Sequence, residues 1–261
     1  MTTDQAILLR ADDAGMTTLT LNRPGQYNAL SDEMIDTLQR ELDNIAADDS
    51  IHVVVIAANG KGFCAGHDLK EMKPPQEKAR YQDLFQRCSR MMITINQMPQ
   101  VVIARVQGIA TAAGCQLVGA CDLAVAAESA RFATSGINYG LFCSTPSVSV
   151  SRNLPRKKAF ELLITGEFID AQTALEWGLI NRVAPDAELD TALQELVANI
   201  TSKSSVTVRT GKQMFYKQLA RNMEEAYVYA GEIMAGNMMA EDAREGIEAF
   251  MEKRTPVWKE R

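Results

Sequence analysis

Apolar positions along the chain fall into two periods. In AILLR (6–10) and MTTLTLN (16–22) the pattern predicts a pair of strands with a turn over Asp12–Gly15. In LSDEMIDTLQRELDNIAA (30–47), Ile35, Leu38, Leu42 and Ile45 recur at three and four residues, which predicts a helix with Ser31 or Asp32 available as its cap. IHVVVIAA (51–58) and VVIARVQG (101–108) read as buried strands. Residues 77–98 read as a longer helix with Leu84, Cys88, Met91, Met92 and Ile95 on its core stripe. QLVGAC reads as a helix and DLAVAAE (122–128) as a strand. From Ala187 onward the period is helical, over 187–199, 204–219, 222–239 and 241–253, and TSKSS interrupts it near residue 200. The expected organisation is a core of stacked α/β units over 1–200 and a helical region over 201–261.

With 261 residues, 46% of them hydrophobic and 23% charged, the chain is large enough for one sizeable core. A net charge of −6 offers no general attraction to nucleic acid or to anionic membrane, and no basic stripe interleaved with aromatics argues for RNA. No apolar run reaches the roughly 18 residues of a membrane span. The five cysteines (64, 88, 115, 121 and 143) show no CxxC or Cys/His zinc spacing, so no metal site is expected. They fit a reduced compartment. With a start, MTTDQAILLRADDAG, that has neither signal nor transit character, the expected location is cytoplasmic.

Two small-residue segments carry the candidate chemistry. NGKGFCAGHDLKEM (59–72) follows the first buried strand and holds three of the sixteen glycines and one of the two histidines, His67. IATAAG (109–114) follows the second. Each reads as a loop between a strand and a helix, presenting backbone N–H groups where a helix dipole favours negative charge. Two such donors aimed at one carbonyl form an oxyanion hole; tight strand-to-helix turns are the alternative reading. Neither segment matches a phosphate-binding glycine motif.

Five stretches taken in order identify the chain as a member of the crotonase superfamily, the enoyl-CoA hydratase/isomerase family. They are LNRPGQYNALSDEMIDTL (21–38), GKGFCAGHDLKEM (60–72), GIATAAGCQLVGACDLAVAAESARFA (108–133), ALEWGLINRVAP (174–185) and EGIEAFMEKRTPVW (245–258). AAGCQL, GLFCSTP and the KRTPVW-like end resemble the branch of enoyl-CoA-hydratase-domain-containing proteins. The resemblance implies a spiral of ββα units with a C-terminal helical trimerisation region, assembled as a homotrimer or a dimer of trimers. It implies an acyl-CoA thioester as ligand, with coenzyme A entering as part of the substrate and no further cofactor required. It places the oxyanion donors at the N–H groups of His67 and Ala113. It gives Ala65, Gly66 and His67 contact with the ligand, Lys70 a weaker phosphate role, and Phe250 and Lys253, expected to share a helix face, a part in enclosing the CoA of a neighbouring subunit.

The chain departs from the family where proton transfer is concerned. The two positions at which the hydratases carry glutamates are here Gln116 and Gly136. An amide cannot take a proton from water at neutral pH, and glycine offers no side chain. The replacement candidates are His67, with an ordinary pKa near about 6.5, and Cys143, with Ser144 and Asn138 as lesser ones; Gln116 is expected to line the pocket. Asp68 is expected to cap the helix that follows it, and His52, Cys115, Cys121 and Trp177 to be structural. The expectation is an enzyme that stabilises a thioester enolate and acts as a decarboxylase, thioesterase or weak hydratase, against a noncatalytic acyl-CoA-binding or regulatory protein.

Overall fold

The computed structural model describes residues 6–73 and 77–259. Its first half repeats one unit four times, two strands followed by a helix. The units are β1 (Leu8–Asp13), β2 (Met16–Leu21) and α1 (Asp32–Ala46); β3 (Val53–Ala58), β4 (Gly62–Cys64) and α2 (Lys78–Gln97); β5 (Val101–Val106), β6 (Ile109–Thr111) and α3 (Ala113–Ala120); and β7 (Leu123–Ala127), β8 (Arg131–Ala133) and α4 (Ser144–Asn153). From the second unit on, each contributes one strand to each of two sheets. With β10 (Arg182–Ala184) the large sheet runs β1-β2-β3-β5-β7-β10, and with β9 (Ile169–Asp170) the small one runs β4-β6-β8-β9. Pairing between units is parallel, as helical crossovers require, and only β1–β2 and β8–β9 are antiparallel. This is the expected α/β spiral of ββα units.

The first strand pair and the predicted helices form within a few residues of their expected bounds. Ser31 caps α1 by accepting from the Met34 N–H at 3.2 Å, and the predicted stripe of α1 is fully buried. The stripe of α2 packs into the same core. IATAAG is a strand followed by a helix start rather than a loop, because Ile109–Thr111 pairs with β4 and β8. The small strands β4, β6 and β8 are only three residues each, too short for a period to register.

Beyond the spiral come α5 (Arg156–Thr165), α6 (Ala171–Trp177), α7 (Leu189–Thr201), α8 (Ser205–Leu219), α9 (Met223–Asn237) and α10 (Glu241–Glu252). The break between α7 and α8 falls at Ser202–Ser204, within TSKSS. A buried ion pair fixes α8 to the spiral. Lys212 of α8 bonds Asp122 at 2.6 Å and donates to the Ile95 and Gln100 carbonyls, while the Tyr216 hydroxyl donates to the same carboxylate at 2.7 Å. By contrast α9 buries none of its side chains in this chain.

Candidate active site

The segment before α1 builds the first wall of the site. Tyr27 and Asn28 both take left-handed backbone conformations, with φ of 48° and 54°. The bend places the buried Asn28 amide 2.8 Å from the carbonyl oxygens of Asn59 and Gly62, to both of which it donates. Tyr27 accepts the Ala65 N–H at 3.0 Å, Leu30 donates its N–H to the Gly66 carbonyl at 2.8 Å, and Asp68 donates its N–H to Leu30 at 3.0 Å. These bonds skip the His67 N–H, which stands without a protein partner among the described residues. Sequence reading alone does not single out Arg23 and Asn28 as supports of this loop. The signal available was Pro24–Gly25 followed by an asparagine, the residue most tolerant of a left-handed turn.

The second wall is the start of α3. Ala112 has φ 51° and ψ −120°, a costly conformation for a residue with a side chain, held by its N–H bond to the Ala133 carbonyl at 3.0 Å. Ala113 then opens the helix, so its N–H has no intrahelical acceptor. The two walls touch through glycines. A Cβ on Gly114 would stand 2.0 Å from the Cys64 carbonyl oxygen, and one on Gly66 would stand 3.0 Å from the Ala113 nitrogen. The loop residue before His67 thereby packs against the start of α3, where the Ala113 N–H sits at the positive end of a helix.

Around them stand polar groups left open. Gln116 is buried at 3% exposure and its side-chain carbonyl has no partner. Both ring nitrogens of His67 are shielded from solvent and unbonded, and the ring meets Phe85 edge-on at 5.5 Å. Burial pushes the His67 pKa down to about 4, against the opposing charge of Asp32. The imidazole is therefore neutral at pH 7, and the expected titration near neutrality is corrected. Cys143 is buried, which raises its thiol pKa, while the Gly136 N–H bonded to its sulfur opposes the shift. Ser144 and Asn138 hydrogen-bond the carbonyls of Phe142 and Gly166.

Several expectations about the surroundings are corrected. Asp68 caps no helix: it accepts from the Lys70 N–H at 3.1 Å and pairs with Arg23 at 2.9 Å, because a turn over residues 69–72 follows it. The His67 loop consequently has no helix dipole directly behind it; only Ala113 does. Lys253 does not share a helical face with Phe250, because it leaves α10 in a left-handed conformation with φ 57°. Phe250 is 85% exposed, Lys253 and Lys70 are exposed, and α10 packs on α8. Within one chain the structure sets Gly66, next to His67, against Ala113, and Gly136 against Cys143, while Gln116 follows Ala113 in the first turn of α3. Among the described residues no group of three His, Cys, Asp or Glu side chains is placed to hold a metal ion.

Residues 11–261 match the family model described as enoyl-CoA hydratase/isomerase. The mouse protein "Enoyl-CoA hydratase domain-containing protein 3, mitochondrial" is 44% identical over 244 residues, 94% of this chain and 81% of that protein. A solved enoyl-CoA hydratase of Mycobacterium smegmatis superposes with a TM-score of 0.96 at 52% identity, covering 97% of this chain and 99% of that one. The human domain-containing protein 3 gives a TM-score of 0.94 at 43% identity, covering 97% and 100%. The mouse protein and four further vertebrate relatives, 41–45% identical, are all named mitochondrial, which overturns the expected cytoplasmic location. All five cysteines are free and buried, and cysteine usage does not distinguish one reducing compartment from another. Family model, relatives and superposition agree: this chain belongs to the enoyl-CoA hydratase/isomerase family and has its crotonase fold.

Proposed function

We propose that the protein is an acyl-CoA-processing enzyme that stabilises a thioester enolate between the N–H groups of His67 and Ala113. The observation that carries this reading is the close approach of Gly66, the residue before the unpartnered His67 N–H, to the Ala113 nitrogen. As negative charge gathers on the thioester oxygen, each donor gains strength, and losing one such donor costs roughly 2.7–4 kcal/mol of transition-state stabilisation. The proton chemistry differs from that of a two-glutamate hydratase, since residues 116 and 136 supply no carboxylate. Gln116 orients a water or a polar group of the substrate, and the neutral His67 imidazole offers one donor and one acceptor. Decarboxylation, thioester hydrolysis and weak hydration are the reactions open to such a site. Loss of CO2 suits it best, because cleavage of the C–C bond leaves its electron pair in the enolate and needs no base.

In this reading CoA is completed by a neighbouring copy in a trimer or dimer of trimers, whose Phe250 and Lys253 reach across. Support comes from α9, whose Met223, Tyr227, Val228 and Met234 are all exposed in the single chain. A second reading, a noncatalytic acyl-CoA binder, is favoured by one observation: burial shifts the His67 pKa down and the Cys143 pKa up, both away from pH 7. Purified protein incubated with malonyl-type, 2-enoyl and saturated acyl-CoA esters, with products identified by mass, separates the two. Turnover that falls in a His67→Ala variant supports the enzyme; binding without product across the panel supports the binder.

A further inference from the structure

A groove of about 600 Å³ runs along α2 on the side away from its buried stripe. Phe85, Gln86, Ser89, Arg90 and Ile93 line it from α2, and Thr145 faces them from the first turn of α4. Phe85 belongs to two places at once, since its ring also touches His67. The Phe85 ring thus stands between the groove and the His67 loop, and Arg90 lies five residues farther along α2, about 7.5 Å of helix axis.

Arg90 is the one charged residue among the lining residues, and none of them is a carboxylate. Its guanidinium has no ion pair and no hydrogen bond among the described residues. Arg87, one turn away, shows what satisfaction looks like on the same helix: Asp32, Asp36 and Asp83 all engage it. The amide of Gln86 and the hydroxyls of Ser89 and Thr145 add uncharged hydrogen-bonding groups around the free cation, while Phe85 and Ile93 give apolar surface. Apolar contact first and a fork of donors beyond it suit an acyl chain that ends in an anion.

We propose that the groove receives the far end of the acyl chain and that Arg90 pairs with a terminal carboxylate there. The preferred ligand class is then a medium-chain ω-carboxyacyl thioester of coenzyme A, whatever bond is altered next to the thioester. The inference rests on the acyl-CoA reading of the His67–Ala113 site, and the test separates the two. Calorimetric titration of the full chain compares hexanoyl-CoA with adipyl-CoA and octanoyl-CoA with suberyl-CoA. The ω-carboxy esters are expected to bind about tenfold more tightly than their equals in length, the scale of one charge-assisted pair. Arg90→Gln should erase that difference and Arg90→Lys should keep part of it. Equal binding of the two series, or a preference that survives Arg90→Gln, overturns the proposal and leaves the acyl-CoA site standing. Failure of all four esters to bind overturns the site reading and the proposal with it.

Discussion

The sulfur of Cys143 fills the space into which a side chain at residue 136 would project: a Cβ built on Gly136 would lie 2.8 Å from it and 2.6 Å from the Leu141 carbonyl oxygen. Residue 136 thus has no open space for a longer side chain, since Cys143 and the Leu141 carbonyl already occupy it. Gly136→Glu is expected to destabilise the fold by about 1–3 kcal/mol, the usual cost of overpacking, without installing hydration. Cys143→Ala should recover part of that loss and not all, because the Leu141 carbonyl remains. Urea unfolding of both single variants and the double variant measures this coupling; strictly additive effects would show that the two positions do not compete.

Gly66 adopts φ +89° against the Ala113 nitrogen. Gly66→Ala should force the two donor walls apart and lower turnover, or acyl-CoA affinity for a binder, by about a hundredfold, the scale of one lost oxyanion donor. Far-ultraviolet circular dichroism should stay near that of the parent, since the Cβ meets a loop and a helix start rather than the interior of a sheet. Full function in this variant would remove the oxyanion assignment.

His67 ties stability to pH. Its pKa falls from 6.5 to about 4 on burial. Between those values the unfolded chain binds a proton that the folded chain refuses. Its contribution is complete above about pH 6.5 and is lost as pH falls toward 4, by at most roughly 3 kcal/mol. Replacing it, His67→Phe, should flatten the stability curve over that window. Denaturant midpoints at pH 4.5 and 7 for both proteins check this, and an imidazole NMR titration centred near 6.5 would contradict it.

Lys212 and Asp122 hold the helical region to the spiral. Lys212→Met should cost about 3–5 kcal/mol by leaving a buried carboxylate without its cation. Hydrogen exchange should show α8 losing protection before β3 and β5. Uniform loss across the chain would mean that α8 is not the element released.

How much was legible in the sequence varies with the residue. The stripes of α1 and α2 could be read because every third or fourth residue faces one core. The proposed oxyanion donors were assigned to His67 and Ala113 only through resemblance, because a backbone N–H has no signature in side-chain identity. Asn28 and Arg23 escaped because their partners are 31 and 45 residues away in sequence, and the capping expected of Asp68 failed because a turn over residues 69–72, not a helix, follows it.

The sequence by itself determined the period of each long element and the absence of carboxylates at residues 116 and 136. Those follow from local periodicity and residue type. Tertiary structure decided which donors stay free, that His67 is neutral, that Cys143 fills the space beside Gly136, and that Arg90 faces an open groove. Each of these depends on what packs against a group from elsewhere in the chain. Burial and proximity set hydrogen bonding and pKa, and neither quantity belongs to a residue until its neighbours are in place.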